Sequence, residues 1–423
     1  MAPDQAALRL QHGISLSHQG RYAEAVVEFE QARRQRPDLP ELAIRLCNEL
    51  AAQGERDTAA ALLRTIVEAD PAYAGGWLNL GVLHYEQGRY EAALACYERA
   101  QAIDPGFALA HYNEGLIRLL MGDFARGWAK YEWRLRLKHA PALPPGFSQP
   151  RWTGEDLAGG TLLLHAEQGL GDTIQFCRFV AQAARRARVI LSVPPPLIRL
   201  LSGLPGIAGF VRHGEPIPPF DRYCSLPSLP YLFGTTAETV PAIPYLAAEP
   251  AAVAAWRDRL PSAGCRVGIV WQGNPKAELD RGRSFPLACF EAIARLPGIA
   301  LVSLQKGAGL EQIEALSGRV PVTALGADFD NGPDAFIDTA AVIAQLDLVI
   351  ACNTSVAHLA GALGRPVWLA LRCWPDWRWQ LDRDDSPWYP SLRLFRQARD
   401  GDWTETFDRI TAALPAFMAG LKR

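Results

Sequence analysis

The chain contains no run of about 18 or more apolar residues without a polar or charged break, which argues against a membrane span. Its most apolar stretch, residues 348–371, is interrupted by Asn353, Thr354, His358 and Arg365. Charge imbalance is missing too. With 43 basic and 45 acidic residues the net charge is −2, unlike a bulk-basic nucleic-acid binder or an acidic disordered chain. The eight cysteines include no CxxC pair and no regular spacing. Neither a zinc site nor a disulfide frame is expected, and reduced thiols suit the cytoplasm. Residues Met1–Asp4 carry no basic and apolar leader pattern, so secretion is not expected. No HExxH, P-loop, Ser-His-Asp order or metal-spaced cluster is present, which favours chemistry without a metal or cofactor. What the 423 residues do have is 49% hydrophobic and 9% aromatic content, ample for two or three packed domains.

A period of 34 residues runs through the first third. One copy carries Gly13, Gly20-Arg21-Tyr22, Ala25, Phe29, Ala32 and Pro37; the next carries Gly54, Ala59, Leu63, Ile66 and Pro71. The third is the cleanest, with Trp77, Leu80, Gly81, Tyr85, Gly88-Arg89-Tyr90, Ala93, Tyr97, Ala100 and Pro105. A fourth has Gly115, Gly122-Asp123-Phe124 and Tyr131 before it degrades into an aromatic and basic stretch, Trp128 to Arg136, which reads as a capping helix. Each copy predicts two amphipathic helices, with small residues where they approach closely and Asp-Pro ending the second. Over residues 6–139 the pattern resembles tetratricopeptide repeats. Such units stack into an α-solenoid with a concave groove that takes a peptide or protein partner or, in a short array, simply braces the next domain. Asn48, Asn79 and Asn113 are candidate groove positions. Residues 141–150, rich in proline, read as a linker or strap.

From Leu162 onward, short apolar runs alternate with helical stretches. Strands are expected at 162–166, 189–193 and 209–212, and after the proline-bounded 241–250 segment at 267–271, 300–304, 320–324, 348–351 and 367–371. Two βαβ series imply two Rossmann-like parallel-sheet lobes, near 141–245 and 246–423, following a repeat domain over 1–140. Ligands of such sheets sit beyond the carboxyl ends of the strands, so the post-strand loops are where chemistry is expected.

The first such loop is Glu167-Gln168-Gly169-Leu170-Gly171-Asp172, between a strand and a helix. Its glycines permit a tight turn, and Asp172 stands at the helix start, where a plain capping role is also open. No third glycine follows to make a dinucleotide fingerprint. The second, Asn353-Thr354-Ser355 with His358 one turn on, offers hydroxyls and backbone N–H groups to an anion, although His358 also fits a core position. Gln272, Asn274, Lys276 and Arg283 follow one strand and Lys306 the next, cations suited to a phosphate-bearing ligand. Trp368, Trp374, Trp377, Trp379 and Trp388 crowd one segment, which fits core packing better than sugar stacking.

Together, Glu167-Gln168-Gly169-Leu170-Gly171-Asp172, the Asn353-to-His358 stretch and Asp347-Leu348-Val349-Ile350 resemble the heptosyltransferase-like glycosyltransferases of family 9, here joined to tetratricopeptide repeats. That resemblance implies a GT-B fold, with an acceptor on the side of Gln168, Gly169 and Gly171 and a nucleotide-sugar donor in the C-terminal lobe. It implies Asp172 as catalytic base, and Asn353, Thr354 and His358 at the donor motif, where Asn353 replaces an aspartate of the family. The function expected is sugar transfer from a nucleotide sugar to an acceptor hydroxyl, on a protein held by the repeats. The rival expectation is an inactive scaffold with a relic transferase domain. Nucleic-acid binding through 128–138 is disfavoured by the near-zero net charge.

Overall fold

A computed structural model describes residues 5–19, 21–36, 40–138, 148–275 and 282–421. The chain divides into two compact units, Met1–Ala140 and Pro141–Arg423.

In the first unit the helices pair as the 34-residue period predicts: α1 (Gln5–His18) with α2 (Tyr22–Gln35), α3 (Pro40–Ala52) with α4 (Arg56–Ala69), α5 (Ala74–Glu86) with α6 (Tyr90–Ile103), and α7 (Ala108–Leu120) with α8 (Phe124–Tyr131). A 3-10 turn, Glu132–Arg136, follows. Three of the four hairpins close on a glycine set against its partner helix. A Cβ on Gly13 would lie 2.7 Å from Phe29, one on Gly81 2.5 Å from Tyr97, and one on Gly115 2.7 Å from the backbone nitrogen of Tyr131. The second hairpin has a larger residue, Cys47, at the equivalent position, and its partner shrinks to Leu63; both are buried. Ala25, Ala59 and Ala93 recur at the same period with no exposed surface. Trp128 and Tyr131 are buried in edge-to-face contact at 5.8 Å, so the aromatic end of the array is packed rather than presented.

The asparagines do not form a ladder along the array. Asn48 is exposed, Asn79 donates its amide to the Gly75 carbonyl at 2.7 Å within its own helix, and Asn113 is hydrogen-bonded to Tyr97.

The second unit holds two parallel sheets. One orders its strands β3-β2-β1-β4, with β1 Thr161–His165, β2 Arg188–Val193, β3 Ile207–Arg212 and β4 Arg222–Ser225. The other runs β6-β5-β7-β8-β9, with β5 Cys265–Val270, β6 Ile299–Ser303, β7 Leu348–Ala351, β8 Val367–Leu371 and β9 Leu392–Arg396. Central strands β7 and β8 are buried throughout, as expected where helices cover both faces of a parallel sheet. The expected strand at 320–324 is absent; that segment contributes one bridge, Thr323 to Val302. It lies along the outer side of β6, while β7 pairs directly with β5 on the other side. All five tryptophans of the 368–388 segment are buried, which makes them core.

Because the neighbour of Gly115 is backbone, it cannot swing aside. Gly115→Ala should therefore destabilise the first unit by about 1–3 kcal/mol through overpacking, despite gaining up to ~1 kcal/mol of helix propensity. Denaturant unfolding of the variant against the parent measures the sign.

Candidate functional site

Each sheet has one point where the chain reverses its order of strand addition. In the first sheet this lies between β1 and β4, in the second between β5 and β7. A crevice forms there because successive connections leave on opposite faces. The loop Ala166–Gly169 follows β1, Gln272–Asn274 lies after β5, and Cys352–Thr354 follows β7, so the loops chosen from sequence stand at or beside these reversals. Across the first one, the Ser225 hydroxyl at the end of β4 donates to Glu167, and the Gln168 amide lies 3.4 Å from the other Glu167 oxygen.

The helices that open at the two reversals, Leu170–Phe176 and Ser355–Ala362, meet at their N-terminal ends. A Cβ on Gly171 would stand 3.1 Å from the His358 ring and 3.3 Å from the Ser355 Cα. A side chain at 171 would therefore need these neighbours to give by a few tenths of an ångström. Gly169 is the N-cap of the first helix with an ordinary φ of −67°, and Asp172 at the third helical position accepts from the Gly169 N–H at 2.9 Å. The other Asp172 oxygen accepts from the Arg378 guanidinium of the C-terminal lobe. Burial pushes the Asp172 carboxyl above its ordinary value; Arg378 opposes that shift and Asp376 adds to it.

Arg378 also pairs with Asp376 at 3.0 Å and donates to the Gln175 side chain. Beside it lies a second buried cation, Arg178. Arg178 donates to the carbonyls of Gln175 (2.9 Å) and Trp388 (2.7 Å) and to the Tyr245 hydroxyl (3.1 Å). Its guanidinium sits 4.6 Å from the Tyr245 ring and 4.7 Å from the Tyr389 ring. The lobes of this unit are thus joined by hydrogen bonds and cation–π contacts through two arginines.

His358 is 6% exposed, shares a 3.0 Å hydrogen bond between its Nδ1 and the Tyr389 hydroxyl, and stacks on Trp379. Burial, helped by Arg378 and Arg178, holds its imidazole well below the ordinary value. Its surroundings are those of a core group, the second of the two roles its sequence position left open.

Beside this seam is a small open cleft of about 60 Å³, lined by Arg283, Asn353, Ala370, Leu371, Arg372, Pro375 and Asp376. It lies at the carboxyl ends of β7 and β8. Arg372 is anchored by a 3.0 Å bond from its Nε to the Trp374 carbonyl and lies 3.4 Å over that ring. Thr354 caps the Ser355–Ala362 helix in extended geometry, and its buried Oγ1 has no hydrogen-bond partner. An unmet buried hydroxyl costs about 1–3 kcal/mol, which a ligand or water would relieve.

The other expected donor residues divide. Arg283 and Asn353 line the cleft together. Gln272 is half-buried, its backbone N–H held by Gln305, whose side chain binds the loops after β5 and β6 through Trp271, Gln272 and Ala308. Asn274 is exposed on the same loop. Lys306 departs from the phosphate-facing expectation: its ammonium donates to the carbonyls of Phe329 and Asp330 and so fastens a neighbouring loop. Lys276 lies outside the described residues. Sequence reading missed Arg378, Asp376, Arg372 and the bracing role of Gln305. The first three were hidden in a segment whose tryptophans drew attention, although alternating Arg and Trp was itself a signal for cation–π packing.

Family models for the tetratricopeptide repeat match residues 16–71 and 44–108. Protein FlbA of Caulobacter vibrioides is 30% identical over 387 residues, covering 82% of this chain and 62% of its own. The chain therefore spans less than two thirds of that relative's length. A tetratricopeptide repeat and J domain-containing co-chaperone, DNJ1 of Cryptococcus neoformans, is 34% identical over 98 residues, 23% of this chain and 18% of its own. Among solved structures, a glycosyl transferase family 9 protein from Veillonella parvula covers 64% of this chain and 100% of its own, at 11% identity and a TM-score of 0.47. A tetratricopeptide-repeat protein of Thermus thermophilus covers 31% of this chain and 74% of its own, at 28% identity and a TM-score of 0.29. The chain carries N-terminal tetratricopeptide repeats followed by a unit of two parallel sheets. Among the described residues, no helix is long and apolar enough to cross a membrane.

A histidine whose folded-state value is depressed favours the native state only while it is neutral. Below about pH 6.5 the unfolded chain takes up a proton that the folded chain refuses, so stability falls by up to ~1.4 kcal/mol per pH unit. Unfolding of the parent and of His358→Gln at pH 7.5 and 5.5 should show a steeper acid loss in the parent. Equal slopes would mean that the imidazole is solvated.

Proposed function

We propose that residues 141–423 form a glycosyltransferase that moves a sugar from a nucleotide-sugar donor to an acceptor hydroxyl. The observation that carries this reading is the cleft beside the Thr354-capped helix, where two arginines and an amide gather at strand ends. A diphosphate needs that chemistry: guanidinium forks, N–H donors and the positive end of a helix. In the transfer, the acceptor oxygen bonds to the anomeric carbon as its proton passes to Asp172. The bond from that carbon to the diphosphate oxygen breaks, and the nucleoside diphosphate leaves with the electron pair. Arg283, Arg372, the helix end and Thr354 stabilise the charge that develops on it. A carboxylate with a raised value is a better base near neutrality than a solvated one, which supports the role given to Asp172. No metal or cofactor is assigned to the reaction. The repeats would present a protein or peptide acceptor, and the chain would work in the cytoplasm.

A second reading, a scaffold with a silent transferase domain, draws on two observations. Asn353 stands where the family has an aspartate, and both Asp172 oxygens already accept hydrogen bonds.

Asp172→Asn should lower turnover by about 10²–10⁴-fold while donor affinity stays within a few-fold. Arg372→Ala should weaken donor binding by about 1.5–3 kcal/mol, the range for hydrogen bonds to charged groups. A thermal-shift panel of UDP-, ADP- and GDP-sugars supplies the binding readout, since a donor at 100 times its dissociation constant adds ~2.7 kcal/mol of stability. No shift with any of them would favour the scaffold.

A further inference from the structure

We infer that Arg378 is a positioning residue for the transfer proposed above, holding Asp172 of one lobe and Asp376 of the donor cleft on a single guanidinium. The inference rests on the assignment of Asp172 as base and adds what fixes that base in place.

The geometry is specific to a planar fork. The Arg378 Nε donates to the Gln175 side chain, Nη1 reaches the two Asp376 oxygens at 3.0 and 3.1 Å, and Nη2 donates to Asp172. The Arg378 backbone N–H donates to the same Asp376 at 3.0 Å, closing the turn that presents the side chain. The guanidinium carbon lies 4.4 Å from the Trp377 ring centre and 5.8 Å from that of Phe176, and the side chain is only 8% exposed. Each nitrogen of the fork has an acceptor, and the group cannot turn without breaking several bonds. A lysine would supply the charge but not three separate directions.

Asp172 is held at both oxygens, by Arg378 from the C-terminal lobe and by the Gly169 N–H from its own loop. Its orientation is therefore fixed jointly by its own loop and by the lobe that carries the cleft. The charged and titratable groups around it divide by element. Arg378 and Asp376 come from the segment after β8, and His358 from the Ser355–Ala362 helix, where burial keeps it neutral. Arg178 lies farther along Asp172's own chain, and Glu167 in its own loop is tied to Ser225. Of these, Arg378 touches Asp172 directly and Asp376 touches Arg378.

This arrangement makes two neighbouring substitutions act in opposite directions. Without Arg378, the Asp172 and Asp376 carboxylates face one another with no cation between them, and Asp172 keeps its proton to higher pH. Without the Asp376 charge, Arg378 serves Asp172 alone, and Asp172 gives up its proton at lower pH.

The test is a ¹³C-carboxyl NMR titration of Asp172 in the full chain, assigned with Asp172→Asn, alongside the acid limb of donor turnover against pH. Arg378→Gln should raise the Asp172 midpoint by at least one pH unit, a tenfold gain in proton affinity. Arg378→Lys should recover part of that shift, and Asp376→Asn should lower the midpoint, with the acid limb of turnover following in each case. Midpoints that stay at the parent value, or that move the same way in Arg378→Gln and Asp376→Asn, overturn the inference. If Arg378→Gln does not fold, Arg378→Lys and Asp376→Asn still give the two directions. Absence of turnover with every sugar nucleotide sinks the transferase reading instead, while the titration still reports whether Arg378 governs Asp172.

Discussion

Everything proposed for the C-terminal unit depends on two helix N-termini being brought against one another where Gly171 meets Ser355 and His358. Backbone dipoles give both ends positive potential, so the approach is unfavourable unless negative charge is supplied. Asp172 supplies it to the first helix by accepting from the Gly169 N–H. The second helix is capped by Thr354 with no side-chain hydrogen bond, and the Thr354 Oγ1 has no partner. One helix end is thus capped by a carboxylate of the chain, and the other offers the Thr354 hydroxyl to an external group. A side chain at 171 would press on both Ser355 and His358.

The seam is held by cations where a packed interior ordinarily uses aliphatic contact. Arg178 and Arg378 lie among Phe176, Tyr245, Trp377, Trp388 and Tyr389, and their charge is met by carbonyls, ring faces and, for Arg378, two carboxylates. Removing one partner from such a network leaves an uncompensated buried charge, so its members are not interchangeable. The tryptophan-rich segment thus acts as a set of faces that orient guanidinium groups. Through Asp376 and Arg372 the same segment also reaches the cleft.

Much of this was legible in the chain itself, for identifiable reasons. Repeat positions such as Gly81 and Tyr97 announce a hairpin because each exists for the other, and the 34-residue spacing survives even where Cys47 and Leu63 replace them. Strands β5, β7 and β8 were visible as unbroken apolar runs, the mark of a strand covered on both faces. Strand β4 was not, because Arg222-Tyr223-Cys224-Ser225 is short and mostly polar. Strand β9 was hidden in a similar way, a short edge strand broken by Arg393 and Arg396. The apolar 320–324 run misled because it packs beside β6 without completing a ladder. At the site, local patterns located the loops but gave no sign of which would meet. Asp172 and Arg378 are 206 residues apart, and only the folded chain shows that they are partners. Lys306 shows the reverse: a cation at a strand end looked poised for phosphate, yet two backbone carbonyls claim it.

The claim underlying the functional account is that the cleft between Arg283, Asn353 and Arg372 receives a diphosphate. A crystal structure of the full chain with an intact sugar nucleotide tests it most directly. The account predicts diphosphate oxygens against Arg283 and Arg372 and beside the Thr354 hydroxyl, with the anomeric carbon facing Asp172. A sugar nucleotide bound elsewhere on the chain, with that cleft left empty, would contradict it.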